Sequence, residues 1–215
     1  MAIATVTLIM GGTACAGKRD RIIGVFEYYR GPYVVYVSKK NFRLEVYSRS
    51  LERVASYVIA YGSNPDGGPK LHEGDNRTPE GIYRVAEMLS MDADKKSPAY
   101  LKLRDLNRVY FRAKDGHGKY GRPGIDLGDN AYGPRFFALD YPNEDDRRRF
   151  DRARQSGLID SSVKGIGFGI AIHGNNDEES MGHRSSSGCI RMYNRDIVAF
   201  ERYVRVGTPV IISAR

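Results

Sequence analysis

The segment from Gly165 to His173 alternates between apolar and very small residues, and this alternation constrains the fold more than any other feature of the chain. A period of two is the period of a β-strand, in which successive side chains point to opposite faces. One face would enter the core with four apolar side chains, those of Ile166, Phe168, Ile170 and Ile172. The other face would carry little beyond hydrogen atoms, one methyl group and, at its end, the His173 imidazole. Such a bare face lets another backbone or a ligand lie close to the strand.

Short runs rich in β-branched and aromatic residues recur along the rest of the chain, and each of them predicts a strand. These runs span residues 33–37, 42–47, 54–61, 81–85, 135–141 and 208–212. Residues 62–81 are dense in Gly, Pro, Asn and Asp, and they predict a loop. The 15 tyrosines and 24 glycines of the 215-residue chain agree with this, because they favour strands and turns over a helical bundle.

Two segments predict helices. Asn143 can cap a helix whose first turn holds three acidic residues, near the positive end of the helix dipole, and Gly157 can close it. Asn194 can cap a second helix, which would end at Gly207. Three apolar residues fall on one face of that second helix: Ile197, Phe200 and Val204. The residues alone therefore predict one mainly β domain with short helices.

The chain opens on an apolar stretch, and its first charged residue is Lys18. This order is typical of the end of a secretory signal, in which small residues precede a cleavage site. Ala14-Cys15 also resembles a lipoprotein processing site, at which Cys15 would carry a lipid anchor. A first β-strand is the alternative interpretation. We expect residues 1–17 to be a signal or lipoprotein segment and residues 18–32 an N-terminal extension, in a protein of the periplasm or cell envelope.

The chain carries 34 Lys and Arg against 26 Asp and Glu, a net charge of +8 that suits an anionic partner. Nucleic acid, anionic lipid and an anionic cell-wall polymer all fit this charge. The longest basic run, at residues 147–149, directly follows three acidic residues, which is typical of a solvated helix face. Because the interleaved aromatic and basic residues of a nucleic-acid module are missing, we expect no nucleic-acid partner. The lack of any apolar run of about 18 residues excludes a polytopic membrane protein.

Two residues that can act as nucleophile and base, Cys189 and His173, lie 16 positions apart. A thiol needs a base within hydrogen-bond reach to attack at neutral pH, and a strand end with a returning loop can bring the two together. Gly188 leaves room for a substrate carbonyl beside the thiol. Taken singly, a buried structural cysteine and a hydrogen-bonded histidine are the ordinary interpretations. A zinc site from His173, His183 and Cys189 is a further alternative, although its spacing matches no common zinc pattern.

Three blocks, in a fixed order along the chain, resemble the signatures of one known family. They are Glu73–Tyr83, which contains Gly-Asp-x-x-Thr-Pro-x-Gly-x-Tyr; Leu139–Asn143; and the pair formed by Ile172-His173-Gly174 and Ser186–Met192. This set is similar to the L,D-transpeptidases with a YkuD-type catalytic domain. The resemblance runs from about Tyr33 to Ile212, which is most of the chain.

The resemblance implies a catalytic domain over residues 33–213 that is mainly β with short helices and β-sandwich-like. Cys189 would be the nucleophile, His173 the base that takes the thiol proton, and the Gly174 carbonyl the group that orients the imidazole. The N–H groups of Gly188 and Cys189 would stabilise the oxyanion of the tetrahedral intermediate. The resemblance implies no metal and no organic cofactor.

Two residues beside the nucleophile carry weaker implications for substrate binding. Ser187 stands where many family members have His, and this departure leaves the substrate preference open. Arg191 could contact a substrate carboxylate, and a structural ion pair is an equal alternative. Residues 75–83 are rich in turn formers, so they would shape the domain without taking part in catalysis.

The reaction that the resemblance implies is peptidoglycan L,D-transpeptidation. Cys189 would attack the carbonyl between the third, diamino-acid residue of a stem tetrapeptide and its terminal D-alanine. An amine of a second stem peptide or of a protein would then take the acyl group. The nearest alternative is an L,D-carboxypeptidase that uses water at the same site. The other alternative is a non-catalytic wall-binding domain, which a thiol alkylated at an ordinary rate near about pH 6 would favour.

Overall fold

The computed structural model describes residues 17–108 and 111–214. The predicted signal or lipoprotein segment, with its lipid anchor at Cys15, lies outside these residues apart from Gly17. In the described part of the chain, no helix combines the length and the apolar character that a membrane span requires.

The described residues form eleven strands and four α-helices. The strands are β1 (Tyr33–Ser38), β2 (Arg43–Ser48), β3 (Arg53–Gly62), β4 (Gly81–Ser90), β5 (Gly118–Lys119), β6 (Arg122–Asp126), β7 (Arg135–Leu139), β8 (Ala171–His173), β9 (Arg184–Ser186), β10 (Ile190–Met192) and β11 (Pro209–Ser213). The helices are α1 (Lys18–Tyr28), α2 (Pro98–Asn107), α3 (Glu144–Gln155) and α4 (Asn194–Phe200). The fold is therefore mainly β with short helices, as predicted, and each of the six β-rich runs overlaps a strand.

Nine strands form one sheet in the order β10-β8-β7-β4-β11-β1-β2-β3-β9. Strand β10 also pairs with β3, so the sheet closes on itself into a barrel-like sandwich. Strands β5 and β6 form a separate two-stranded hairpin. The closure places β10, near the end of the chain, between β8 and β3, and the candidate site lies at this junction.

Strand β1 is buried on both of its faces. Val35 and Val37 belong to the main apolar core inside the curved sheet. The intervening Val34 and Tyr36 pack outward, against an apolar stripe of α1. That stripe consists of Ile22, Val25 and Phe26. Residues 18–28, which were predicted to lie in an N-terminal extension, thus form a helix that covers the sheet.

The strand predicted at residues 165–173 is much shorter in the structure and covers only Ala171–His173. Gly167 and Gly169 have φ angles of +79° and +81°, a left-handed conformation that breaks the alternation of a pleated strand. Phe168, between them, is 84% exposed and does not enter the core. The prediction for Phe168 was therefore wrong, because alternation of residue types does not reveal where glycines turn the backbone.

The two predicted helices exist, but only one begins as expected. The Asn143 side chain accepts a hydrogen bond from the Asp146 N–H at 3.2 Å and caps α3. Asn194 is the first residue of α4 and not its cap, because its side-chain oxygen instead accepts the Asn175 N–H at 2.9 Å. Helix α4 ends at Phe200 and passes into a 3₁₀ turn, well before Gly207. Helices α1 and α2 were not predicted.

Candidate active site

Two neighbouring parallel strands place the candidate nucleophile and base on one face of the sheet. In the β8–β10 pair, Ile190 lies opposite Ile172 and Arg191 lies opposite His173. One step back in the same register, Cys189 lies opposite Ala171, two positions before His173. Because alternate residues share a face, the side chains of Cys189, Arg191 and His173 all point to the same side.

These three side chains line one cavity with a volume of about 250 Å³. Other parts of the chain complete its wall: Lys70 comes from the loop before β4 and Tyr132 from the loop before β7. The exposed Phe168 ring lies at the same cavity, so its apolar surface is available to a ligand. A concave pocket with a thiol, an imidazole and a guanidinium is a candidate active site.

His173 is held in the tautomer that a general base requires. Its Nδ1 atom donates a hydrogen bond to the Gly174 carbonyl oxygen at 2.5 Å, and a carbonyl can only accept. The second nitrogen, Nε2, therefore carries the free lone pair when the ring is neutral. Burial, with a smaller contribution from the Arg191 charge, lowers the pKa of His173 to about 3. The imidazole is thus neutral at physiological pH and able to take a proton.

Aromatic rings fix the orientation of this imidazole. Phe136 stacks against His173 with ring centroids 5.7 Å apart, and Tyr132 meets it edge-on at 4.9 Å. Burial, with a smaller contribution from nearby Cys189, raises the pKa of Tyr132 to about 12, so its hydroxyl group stays protonated. Neither aromatic residue was predicted to belong to the site, because only the tertiary fold brings them to the histidine.

Cys189 is a protonated thiol in the resting site. Its Sγ atom lies 3.4 Å from the carbonyl oxygen of Gly169. Burial raises the pKa of the Cys189 thiol above its ordinary value, although the Ala171 N–H and the Arg191 charge act in the opposite direction. With His173 neutral, the free protein holds a thiol and an imidazole, and the proton must move as the thiol attacks.

The raised pKa predicts a distinctive pH dependence for alkylation of Cys189. We expect the rate with iodoacetamide to rise about tenfold per pH unit and to be still rising at the ordinary cysteine value of 9.0, because only the thiolate reacts. Neutral His173, with a pKa of about 3, adds no step in this range. The measurement is the rate of adduct formation by intact mass.

A plateau in that rate below about pH 8 would instead show a preformed thiolate–imidazolium pair. The expected profile also changes the meaning of the alkylation test. A slow reaction near about pH 6 is what the free form of an enzyme with this site would show, so it does not favour a wall-binding domain.

Ser186 shapes the turn that presents the nucleophile. Its hydroxyl donates to the Cys189 carbonyl oxygen at 2.6 Å and accepts the Gly188 N–H at 3.1 Å. The Gly188 N–H, predicted as an oxyanion donor, is thus hydrogen-bonded to Ser186 in this structure. Ser187 is exposed and lines the cavity. Gly188 has a φ of +135°, and a Cβ there would lie only 2.9 Å from the Arg77 carbonyl oxygen.

The upstream Gly-Asp-x-x-Thr-Pro block supports this turn from behind. The Thr78 hydroxyl donates to the Gly188 carbonyl oxygen at 2.7 Å and accepts the Gly62 N–H at 2.9 Å. Thr78 is buried, so a single hydroxyl ties the end of β3 to the residue before the nucleophile. The block therefore acts on the site through backbone support.

The residues named for a zinc site do not gather in the structure. Among residues 17–108 and 111–214, no group of three or more His, Cys, Asp or Glu side chains is placed to hold a metal ion. His183 instead stacks on Tyr120, with ring centroids 4.3 Å apart.

Comparison with known proteins places this chain in a family. Residues 32–212 match the family model of YkuD, the L,D-transpeptidase catalytic domain. YqjB of Bacillus subtilis (strain 168), which carries a provisional L,D-transpeptidase assignment, is 32% identical over 139 residues, or 65% of this chain and 62% of YqjB. The chain thus spans less than two thirds of the length of that relative.

Two solved structures are similar to this chain, and the first of them shares its fold. Bd1075 of Bdellovibrio bacteriovorus is similar with a TM-score of 0.50 and 23% identity, over 86% of this chain and 49% of that one. The catalytic domain of the E. faecium L,D-transpeptidase has a TM-score of 0.44 and 14% identity, over 86% of this chain and 99% of that one.

Proposed function

Since the chain belongs to the YkuD family of L,D-transpeptidase catalytic domains, we propose that it is a peptidoglycan L,D-transpeptidase with Cys189 as nucleophile. The observation that carries the proposal is the shared face of β8 and β10. There a thiol and a neutral imidazole with a free Nε2 lone pair line one cavity. A wall-binding domain has no need of a buried base beside a half-buried thiol that faces a cavity.

The first half of the reaction forms an acyl-enzyme. The stem tetrapeptide binds with the carbonyl between its diamino acid and its terminal D-alanine against Cys189. His173 Nε2 takes the thiol proton as sulfur attacks the carbonyl carbon, which gives a tetrahedral oxyanion. The C–N bond then breaks, the imidazolium gives its proton to the leaving amine, and D-alanine departs. A thioester on Cys189 remains.

The second half transfers the acyl group to an amine. His173, neutral again, takes a proton from the acceptor amine as its nitrogen attacks the thioester carbon. The C–S bond breaks, and the imidazolium returns the proton to the sulfur of Cys189. The acceptor is an amine of a second stem peptide or of a protein, and water in that place would make the enzyme an L,D-carboxypeptidase.

The surroundings of the cavity suit a peptide of the cell wall. Phe168 offers an exposed apolar surface beside Gly169, whose carbonyl contacts the Cys189 sulfur. The net charge of +8 favours an anionic polymer. Because peptidoglycan lies outside the cytoplasmic membrane, the proposal places the protein in the periplasm or cell envelope, where Cys15 would carry a lipid anchor.

The test is intact-protein mass spectrometry after mixing with a disaccharide-tetrapeptide. We expect an adduct equal to the substrate minus D-alanine on the natural protein, and none on Cys189→Ala. Cys189→Ala should keep its thermal unfolding transition, because the change removes only the sulfur atom, whose hydrogen bond to the Gly169 carbonyl is long at 3.4 Å. Turnover by Cys189→Ala, or a folded natural protein that forms no adduct and releases no D-alanine, would contradict the proposal.

Product analysis with and without an acceptor amine then separates the two catalytic functions. A crosslinked product that depends on the amine shows transfer. A tripeptide formed at the same rate with and without the amine shows a carboxypeptidase.

A further inference from the structure

Arg191 is a buried cation with no carboxylate of the described residues within ion-pair distance, although the Asp177 carboxylate acts on its charge at longer range. The residue is 8% exposed and lies directly opposite His173 in the β8–β10 pair. In the described part of the chain its side chain makes one hydrogen bond, from Nη1 to the Ser185 carbonyl oxygen at 3.3 Å. Its buried Nε atom makes none. No carboxylate of residues 17–108 or 111–214 forms an ion pair with it, so the structural ion pair considered from the sequence is not found there.

Another buried arginine of the same domain shows the ordinary arrangement. The Arg135 guanidinium donates to Asp92 at 2.6 Å and to Glu201 at 2.7 Å. Buried guanidinium groups are paired in this way because an unpaired charge loses its hydration without compensation. The Arg191 guanidinium has lost its hydration without an ion pair to replace it, and it lines the cavity that contains the nucleophile. A ligand that brings its own negative charge into the cavity would compensate it.

The spacing of Arg191 from the nucleophile indicates which anion this is. Cys189 directly precedes β10, and Arg191 lies two residues further along the same extended segment. Their Cα atoms are therefore about 7 Å apart, and their side chains project on the same side. In the bond that Cys189 is proposed to cut, the leaving nitrogen belongs to D-alanine, whose carboxylate lies one carbon further along. No other carboxylate of the stem peptide is so near the scissile bond. The planar guanidinium fork matches a carboxylate with two parallel hydrogen bonds.

We propose that Arg191 binds the carboxylate of the terminal D-alanine, so that the site selects stem peptides ending one residue beyond the scissile bond. This inference rests on the proposed function for the choice of substrate. It makes Arg191 a specificity-determining residue that contacts the leaving group, and a C-terminal amide should be a poor ligand.

Binding to the inactive Cys189→Ala protein tests the inference without turnover. The two ligands are the stem tetrapeptide with a free D-alanine carboxylate and the same peptide with a C-terminal carboxamide, titrated by calorimetry. We expect the carboxylate peptide to bind about 10- to 100-fold more tightly, as charge-assisted hydrogen bonds imply. In Cys189→Ala/Arg191→Gln the two affinities should become equal within about threefold, at the level of the carboxamide.

A matched control removes an arginine outside the cavity. Arg184 lies on β9 and donates to Tyr61 and Pro65, and Cys189→Ala/Arg184→Gln should keep the full preference for the carboxylate. Equal binding of the two peptides by Cys189→Ala, or no binding of the carboxylate peptide at millimolar concentration, would overturn the inference. The same holds if Arg191→Gln weakens both peptides alike, because Arg191 would then act on the fold.

The comparison of the two peptides on Cys189→Ala needs no arginine variant, so it stands even if Arg191→Gln fails to fold. It also separates the inference from the proposed function. A carboxylate preference without any acyl adduct on the natural protein would support the arginine subsite and contradict the transpeptidase.

Discussion

Replacing His173 with asparagine should lower kcat/KM for release of D-alanine by about 10²- to 10⁴-fold, the usual contribution of a positioned general base. The reason is specific to Nε2. Asparagine can still donate to the Gly174 carbonyl, as Nδ1 does now, but it has no basic nitrogen to take the thiol proton from Cys189. The measurement is the initial rate of D-alanine release, with thermal unfolding of both proteins as the check on the fold.

His183→Asn is the matched control, because His183 is an exposed histidine just before β9 that stacks on Tyr120 and does not line the cavity. It should keep a rate within about threefold of the natural protein. A His173→Asn protein that folds and retains its rate would remove His173 as the base. Equal losses of D-alanine release in the two variants would instead support the zinc site that was an alternative from the sequence.

The strands could be predicted because their signals are local, whereas the spatial pairing of the nucleophile with its base could not. Each β-rich run overlaps a strand, and the alternation before His173 places this residue at a strand end. The pairing of His173 with the Cys189 strand depends on parallel register, which local patterns do not contain. The resemblance to a family supplied that pairing, and the β8–β10 ladder now explains it.

The rest of the site depends on contacts between distant segments. Tyr132 and Phe136 reach the imidazole only through the fold, and Phe168 leaves the core because two neighbouring glycines adopt positive φ. Arg191 had two equal interpretations in the sequence, since whether an acidic side chain reaches it is a tertiary question. A sequence shows which residue types occur at which spacing. The pairing and burial of those side chains decide what they do, and both are set by the tertiary fold.

The loop that contains the Gly-Asp-x-x-Thr-Pro block holds a buried ion pair and also supports the turn that carries the nucleophile. Lys70, on the cavity wall, is buried against Asp75, and Thr78 of the same loop holds the Gly188 carbonyl. The Asp75 carboxylate accepts from three backbone N–H groups as well, those of Leu71, His72 and Arg77. One carboxylate therefore organises the segment against which the nucleophile turn rests.

Replacing Asp75 with asparagine should lower the free energy of unfolding by about 3–5 kcal/mol, because it leaves a buried ammonium group unpaired. Both side chains are only 5% exposed, and Lys70 Nζ lies 2.8 Å from Asp75 Oδ1. For a domain of this size the fall in Tm should be about 10 °C. Chemical denaturation and a thermal scan measure it. Asp66→Asn is the control. Asp66 is 79% exposed, and its ion pair with Arg77 of the same loop is long, at 3.8 Å. This substitution should change the free energy of unfolding by less than about 1 kcal/mol.

The difference in free energy of unfolding between the natural protein and Asp75→Asn should depend on pH, because it comes from the ionised Asp75 carboxylate. Hydrogen bonds from Lys70 and the backbone hold the pKa of Asp75 below its ordinary value, although burial acts in the opposite direction. A depressed folded pKa means that the stabilisation is complete above the unfolded pKa of about 4 and is lost as the pH falls through the folded pKa. The gap between the natural protein and Asp75→Asn should therefore be constant from about pH 6 to 7 and shrink below about pH 4. A gap that stays constant down to about pH 2 would show that the asparagine acts through loop geometry and not through the charge that it removes.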